Sequence, residues 1–443
     1  MQTPTSAVHE TESLLFFLLL QLVLIVAAGR WAGTLAVRVG QSAAVGEILA
    51  GIALGPSGFG WFLPDWFGRV FTSVSSAPMT ILSQLGLILL MFQIGLEFDF
   101  SHLTERRNRR TVLHVAAACL LAPFLLGLVF GYGSAPILSP RADRAASALF
   151  VATAFSITAL PILGRILMDL RMTQSALGVI AISAAAINDV VGWLLLAGVT
   201  ALTIADFSPT VFGIKLGLLA AFIVGSWWVV RPLLKRMVRA FQKPGEGLSD
   251  DLLALLLVAL FLAGMCTYAL GIFAIFGGFL TGVLLHDEKE LRRAWNERVG
   301  NFVTVFFLPI FFTYTGLRTR IGALDTVELW GWCGLVILFA TLGKFGGAYL
   351  AARWNGLGRQ ESGILGILMN TRALMELVVL NVGYDLGVIS AELFTMLVLM
   401  ALVSTVLTTP CVRSWLGPAG VPADLAEMAV SPVSPGARIE GKG

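Results

Sequence analysis

Long apolar stretches separated by short polar stretches repeat along the whole chain. Most apolar stretches hold about 20 residues, the length at which a helix crosses a hydrocarbon core roughly 30 Å thick. The charged residues gather between these stretches. The pattern predicts an all-α polytopic membrane protein with about 13 transmembrane helices. We place the spans approximately at residues 14–35, 42–62, 78–97, 112–132, 146–168, 174–204, 211–232, 250–267, 270–286, 299–317, 327–350, 362–384 and 390–412.

The apolar stretch from Asp250 to His286 needs two crossings rather than one. As a single helix it would be roughly 55 Å long, which is too long for one crossing. Basic residues flank it on both sides, from Lys235 to Lys243 and from Lys289 to Arg298. Both ends therefore belong on the same side of the membrane, and we predict a hairpin near Tyr268–Gly271.

Composition agrees with a membrane protein and narrows the function classes. The chain is 57% hydrophobic and only 13% charged, against roughly 25% charged residues in a soluble domain. The formal charge of +3 comes from short loops, so we expect no nucleic acid partner. The four cysteines lack CxxC spacing and the glycine-rich segments lack a phosphate-binding motif. We therefore expect no disulfide, no resident metal and no cofactor, and an ATP-driven pump is not supported.

The distribution of lysine and arginine predicts the orientation. With the N-terminus outside and the C-terminus in the cytoplasm, most of the 30 basic residues fall on the cytoplasmic side. Two of them, Lys344 and Arg372, lie within predicted spans, where an ionisable group is costly and is usually functional. The basic residues in the predicted outer segments are Arg69, Arg141, Arg144, Lys215, Arg318 and Arg320.

Three pairs of similar segments indicate an inverted repeat. The second span reads GEILAGIAL around Gly46 and the ninth reads GGFLTGVLL around Gly277. The third ends in FQIGLE at Glu97 and the tenth in TYTGLR. The fifth and twelfth spans pair TALPIL with RALMEL. Each match joins a span to the seventh one after it, and an odd offset turns the second copy upside down in the membrane.

The predicted domain organisation follows from this repeat. One transmembrane domain covers residues 1–413, with repeat 1 at about 14–204, a linker helix at 211–232 and repeat 2 at about 250–412. Residues 414–443, rich in Pro, Ala and Gly, are predicted to be a short disordered cytoplasmic tail.

Asp189 is the strongest candidate for chemistry. It lies near the middle of the sixth span, in AINDVVGW, where a carboxylate that is not permanently paired can exchange a proton for a cation. The alternative is a structural carboxylate that is always paired within the bundle. Asn188 beside it offers a neutral oxygen ligand, or packs between helices.

Two predicted spans carry signs of a break in the helix. Pro161 disfavours helical geometry at the preceding residue and opens the backbone near Thr158. The matching region of the twelfth span is MNTRALMEL, with Arg372 and Glu376 four residues apart. Paired interruptions in corresponding helices indicate a midplane binding site. Simple kinks and an intrahelical ion pair are the structural alternatives.

Lys344 has two interpretations. It lies in TLGKFGG of the eleventh span, where it either extends to the cytoplasmic surface or forms a salt bridge with Asp189 that a bound cation breaks.

Five segments together resemble the monovalent cation:proton antiporter-2 family. They are VGEILAGIALGPSGFG from Val45, LGLILLMFQIGLEFD from Leu85, SITALPILGRIL from Ser156, AAAINDVVGWLLLA from Ala184 and GILMNTRALMELVVLNVGYDLGVIS from Gly366. The resemblance implies an NhaA-like fold with two crossing broken helices.

The resemblance also implies roles for individual residues. Asp189 would carry the ion or the proton, Thr158 and Ser156 with the nearby backbone would join the ion site, and Lys344, Arg372 and Glu376 would be charge partners. Asn188 stands where some family members have a second Asp, which favours an electroneutral exchange of one cation for one proton.

The sequence thus predicts a secondary active antiporter for K⁺ or Na⁺, not an enzyme. An ion channel or a proton-coupled carrier of another small ion is the alternative. The resemblance further implies a homodimer, in a bacterial plasma membrane. Regulation by nucleotide would need a separate subunit, because the chain ends before such a domain could begin. The preferred cation and the direction of transport stay open.

Overall fold

The computed structural model describes residues 4–72, 77–97, 109–170, 172, 175–204, 209–241, 247–270, 274–372 and 374–416, and the regular secondary structure in these ranges is helical throughout. The α-helices are α1 Pro4–Arg38, α2 Ala43–Leu54, α3 Phe59–Phe62, α4 Pro64–Phe67, α5 Ala77–Glu97, α6 Arg109–Leu138, α7 Arg144–Ser156, α8 Leu160–Asp169, α9 Ala176–Ile204, α10 Pro209–Gly225, α11 Arg231–Phe241, α12 Asp250–Ala269, α13 Ala274–Leu284, α14 Lys289–Trp295, α15 Leu308–Arg318, α16 Val327–Trp354, α17 Arg359–Met369, α18 Leu374–Asp385 and α19 Ala391–Leu416. Segments of π-helix lie at Gly68–Thr72, Ser226–Val230, Asn296–Gly300 and Val303–Phe307, and a 3-10 turn at Ile321–Ala323.

Most of the predicted spans correspond to one long helix. Among the described residues, nine helices are long and apolar enough to cross a membrane, or ten if the bent pair Lys289–Gly300 and Val303–Ala323 is one span. The three other predicted spans, 146–168, 270–286 and 362–384, coincide with shorter helices, two of them interrupted. The polytopic helical fold is therefore confirmed, while the count of 13 stays a prediction.

Both predicted breaks are present. The fifth span divides into α7, which ends at Ser156, and α8, which begins at Leu160. The twelfth divides into α17, which ends at Met369, and α18, which begins at Leu374. Pro161 lies in the first turn of α8, a position that tolerates proline because its missing N–H has no intrahelical acceptor.

The helices form two packed groups, which we call the first and the second bundle. In the first bundle α2 packs on α1 and α15, α5 packs on α13 and α15, and α12 packs on α13. In the second bundle α6, α7 and α9 pack together, and α16 packs on α6, α17 and α19. Both broken spans belong to the second bundle, where α18 packs on α7 and α19, and α8 on α9.

Glycine contacts in the first bundle follow the predicted repeat. A Cβ built on Gly51 of α2 would overlap the carbonyl oxygen of Thr313 and lie 2.8 Å from Cα of Gly316 in α15. A Cβ on Gly282 of α13 would lie 2.9 Å from Cα of Gly95 in α5. Gly51 corresponds to Gly282 and Gly95 to Gly316 in the repeat, so each repeat contributes one helix to each crossing.

The second predicted span, 42–62, agrees with the candidate span Ala43–Phe62, but it contains a turn. Within it α2 ends at Leu54 and the chain turns before α3 begins at Phe59. The intervening GPSG sequence explains the turn, because glycine and proline are poor helix formers. The predicted hairpin near Tyr268 agrees with α12 ending at Ala269, although residues 271–273 lie outside the described residues. The predicted disordered tail falls largely on residues 417–443, which are also outside them.

Candidate functional site

Two basic side chains bind the C-terminal end of α7, which is buried within the bundle. A helix that ends inside a bundle leaves carbonyl groups without intrahelical donors and carries partial negative charge there. Arg372 donates to the carbonyl oxygens of Ala154 at 2.9 Å and Phe155 at 3.0 Å. The ammonium group of Lys344 donates to the carbonyl oxygen of Ser156. The positive charges of Lys344 and Arg372, the two basic residues predicted to lie within the membrane, thus offset the partial negative charge at the end of α7.

The two breaks cross each other directly. The backbone N–H of Ala159 donates to the carbonyl oxygen of Thr371 at 3.1 Å. Thr405 of α19 supports the second break, because its hydroxyl donates to the Arg372 carbonyl oxygen at 2.8 Å and lies 3.3 Å from the Arg372 amide. The sequence did not reveal Thr405; a threonine in an apolar helix was the available signal, but many such residues only bond to their own helix.

Asp189 lies against this crossing. Asp189 is 2% exposed, and its carboxylate lies near the backbone N–H of Leu160, the first residue of α8. The carboxylate therefore faces the N-terminal end of a helix, where the helix dipole favours negative charge. One turn along α9, a Cβ built on Gly192 would lie 3.1 Å from Ile157 and 3.5 Å from Met375, so α9 touches both broken spans.

Several polar atoms near the crossing have no hydrogen-bond partner. Among the described residues, these buried atoms include Oδ1 of Asp189, both amide atoms of Asn188 and the hydroxyl of Thr158. Asn188 is 1% and Thr158 0% exposed. Burying such groups unpaired is costly, and most buried polar atoms in proteins have a partner. Oxygen atoms left in this state next to a carboxylate are suited to a small cation or a proton.

Lys344 does not extend to the membrane surface, because it is fully buried. Within the described part of the chain it forms no ion pair with Asp189, and its donated hydrogen bond goes to Ser156 instead. It remains close enough for its charge to interact with those of Asp189, Arg372 and Glu376. The alternative in which Lys344 reaches the cytoplasmic surface is therefore wrong, and its electrostatic partnership with Asp189 remains a prediction.

Arg372 and Glu376 form an ion pair with 3.5 Å between Nη1 and Oε1, and both are fully enclosed. Arg372 also donates to the Ala340 carbonyl oxygen at 3.2 Å. Ser156 takes part through its backbone, since its hydroxyl donates to Thr153 within α7 at 2.9 Å. Six of the seven sequence-predicted site residues thus lie at or beside the crossing, and Asn188 is the buried neighbour of Asp189 on α9. Ser156 offers no free side-chain ligand.

Known families and proteins resemble this chain over most of its length. The chain matches the family model described as "Sodium/hydrogen exchanger, transmembrane" over residues 15–416. It is 36% identical over 407 residues to the Na(+)/H(+) antiporter NhaS4 of Synechocystis sp., covering 91% of this chain and 98% of that protein.

A yeast relative and a solved structure extend the comparison. The K(+)/H(+) antiporter 1 of Saccharomyces cerevisiae is 30% identical over 383 residues, which are 84% of this chain but 43% of the yeast protein. The sodium proton antiporter MjNhaP1 from Methanocaldococcus jannaschii matches with a TM-score of 0.65 at 15% identity, covering 91% of this chain and 98% of that one. At that identity the structural match establishes the fold alone.

Proposed function

Because the chain belongs to the sodium/hydrogen exchanger family, we propose that it is a secondary active antiporter that exchanges a monovalent cation for a proton by alternating access. The observation that carries the proposal is the buried carboxylate of Asp189 at the crossing of two broken helices. Relatives named as Na(+)/H(+) and K(+)/H(+) antiporters support it, and they do not favour a channel.

In this mechanism the cation and the proton compete for Asp189. The deprotonated carboxylate binds the cation, together with the unpartnered oxygens of Asn188 and Thr158. Protonation neutralises Asp189 and releases the cation. Lys344 and Arg372 hold the end of α7 in both states, so that the site keeps its geometry while its charge changes. One bundle then moves against the other and exposes the site on the opposite side.

The exchange is proposed to be electroneutral, with one cation moved for each proton. Asp189 is the carboxylate available for this, because Asn188 carries no charge and Glu376 is held by Arg372. Relatives are named for both sodium and potassium, so we assign the substrate class as Na⁺ or K⁺.

The orientation of the protein, its membrane and its oligomeric state are also proposals. The excess of Lys and Arg in alternate loops supports an N-terminus outside and a C-terminus in the cytoplasm. The Synechocystis relative supports a bacterial plasma membrane. The apolar outer face of α1, with Phe16, Leu19 and Val23 exposed, is suited to lipid or to a second copy in a homodimer.

The test is proton movement driven by Na⁺ or K⁺ in proteoliposomes, followed with a pH-sensitive dye. We expect Asp189→Asn to abolish exchange while the protein still elutes as a folded particle. Asp250→Asn is the matched control, because Asp250 is an exposed carboxylate paired with Arg298 away from the site, and it should exchange normally. Undiminished exchange by Asp189→Asn would contradict the proposal.

A further inference from the structure

A group of polar side chains joins the two bundles at one end of the molecule. Arg318, the last residue of α15 in the first bundle, forms an ion pair with Asp385, the last residue of α18 in the second. Its other terminal nitrogen donates to Asn381 at 2.8 Å. Asn381 in turn donates to the hydroxyl of Thr315, one turn back on α15, at 3.0 Å.

Two aromatic rings enclose the guanidinium of Arg318. It lies 4.8 Å from the ring centre of Tyr384 and 5.7 Å from that of Tyr314. Tyr384 belongs to α18 and Tyr314 to α15, so one ring comes from each bundle. Arginine commonly stacks on aromatic faces in this way. The contacts of Arg318 with Asp385, Asn381 and Tyr384 therefore all depend on the two bundles being close together at this end.

This group separates two cavities. An outer cavity of about 460 Å³ is lined by Gln21 and Phe71 among others. An inner cavity of about 50 Å³ lies between α5, α13, α15 and α18 and is lined by Ser83 and Val378 among others. Four residues line both cavities: Thr80, Tyr314, Arg318 and Asp385. The ion pair is thus part of the partition between the two spaces.

The inner cavity reaches toward the ion site. Val378 lies one turn from Met375 on α18, and Met375 packs against Gly192 of the helix that carries Asp189. A path from the outer cavity to Asp189 along α18 would therefore pass the Arg318–Asp385 pair. By the proposed orientation this is the outer end, where α15 and α18 finish and α5 and α13 begin.

We propose that Arg318, Asn381 and Asp385 form a gate that closes the outer path to Asp189 and opens when the bundles separate. The inference rests on the proposed function and names the residues that decide which side the ion site faces. The two charged side chains are 19% and 31% exposed, so water can solvate them when they part. An ion pair in such a place is weak enough to break in every cycle and still favours the closed state.

Thiol labelling tests the gate without relying on transport. The reporter is Ser83→Cys, which places a thiol in the inner cavity, in a background whose native cysteines are replaced by alanine. A membrane-impermeant maleimide is added from the outer side of vesicles of known orientation. We expect slow labelling in this background, and labelling about tenfold faster when Arg318→Gln is added, a factor that corresponds to about 1.4 kcal/mol.

Two further variants make the result specific. Asp385→Asn removes the same pair from the other bundle, and the double variant should label no faster than the faster single variant, since both remove one interaction. Arg298→Gln is the matched control, because it breaks the Arg298–Asp250 pair within the first bundle and should leave labelling unchanged. Equal labelling rates in all variants, or additive effects of the two gate variants, would overturn the gate.

The outcome is separable from that of the proposed function. Asp189→Asn should abolish exchange but keep Ser83→Cys slow to label while Arg318 is present. If the labelling results fail and Asp189→Asn behaves as expected, the gate is wrong and the antiporter assignment stands. If exchange by Asp189→Asn is normal, the ion site is wrong whatever the labelling shows.

Discussion

Arg372 replaces hydrogen bonds that α7 loses by ending inside the bundle. Its planar guanidinium presents several N–H groups in a fixed fork, and here they reach carbonyl oxygens of Ala154, Phe155 and Ala340 as well as Glu376. A lysine at this position would keep the charge but has a single nitrogen on a flexible chain. The shape of the side chain should therefore matter as much as its charge.

We expect Arg372→Lys to lower both stability and exchange. The variant should lose at least one hydrogen bond to a charged group, about 1.5–3 kcal/mol each, and should leave α7 carbonyls unpaired. The measurement is the thermal unfolding midpoint of the purified protein, together with dye-detected exchange. Arg236→Lys, at an exposed position of α11, serves as the control and should change neither. An Arg372→Lys protein with normal midpoint and normal exchange would show that the fork geometry is unimportant.

The site residues differ in how far the sequence could reveal them. Asp189 and Arg372 were found because a charge in an apolar stretch stands out from its neighbours. The contact of Lys344 with Ser156 was not found, because it joins residues 188 positions apart. A backbone carbonyl has no signature in the sequence, which therefore offers only the cytoplasmic surface or a salt bridge to Asp189 for this lysine.

At the scale of helices, glycines allow the close crossings of the first bundle. Gly51 of α2 and Gly316 of α15 meet so closely that a Cβ on either would lie 2.8 Å from Cα of the other. The nearby clashes are with backbone atoms, which cannot turn aside as a side chain can. Small residues commonly let membrane helices approach in this way.

Two glycine-to-alanine substitutions test whether the close crossing requires glycine, because they should change stability in different ways. We expect Gly51→Ala to destabilise the protein by about 1–3 kcal/mol, as overpacking does. A Cβ added to Gly331 of α16 would meet no described atom within 4 Å, and Gly331→Ala should be neutral or stabilise by up to about 1 kcal/mol. Thermal unfolding of both variants gives the comparison. Equal effects at the two positions would mean that the crossing tolerates a methyl group.

The helices themselves were largely predictable, because a membrane requires long apolar segments with satisfied backbone groups. The break near Thr158 was also predictable, since proline removes a backbone donor. The end of α2 at Leu54 was not, because the apolar residues of Phe59–Phe62 continue the hydrophobic run after the turn. The hydrophobic pattern reports where the chain is in lipid, and it does not report where a helix stops within it.

At the scale of the whole molecule, the sequence repeat and the two bundles do not divide the chain in the same way. Each repeat contributes helices to both bundles: α2 and α5 of the first repeat pack with α13 and α15 of the second. Likewise α7 and α9 of the first pack with α17 and α18 of the second. The sequence revealed the repeat, but only tertiary packing defines the bundles. A movement of one bundle against the other therefore involves both repeats at once.

The charge moved in each cycle is set by the ion site, and Asn188→Asp should change it. The proposed exchange of one cation for one proton at Asp189 moves no net charge, so an imposed membrane potential should not alter the exchange rate of the wild type. A second carboxylate beside the first would allow two protons to be carried for one cation. Moving one net charge across 100 mV is worth about 2.3 kcal/mol, so exchange by Asn188→Asp should become sensitive to voltage. Proteoliposomes with a diffusion potential set by an ion other than Na⁺, K⁺ or H⁺ give the measurement, and Asn188→Gln is the neutral control. Voltage-dependent exchange in the wild type would contradict electroneutrality and would place a second group, with Lys344 as the first to test, in the proton count.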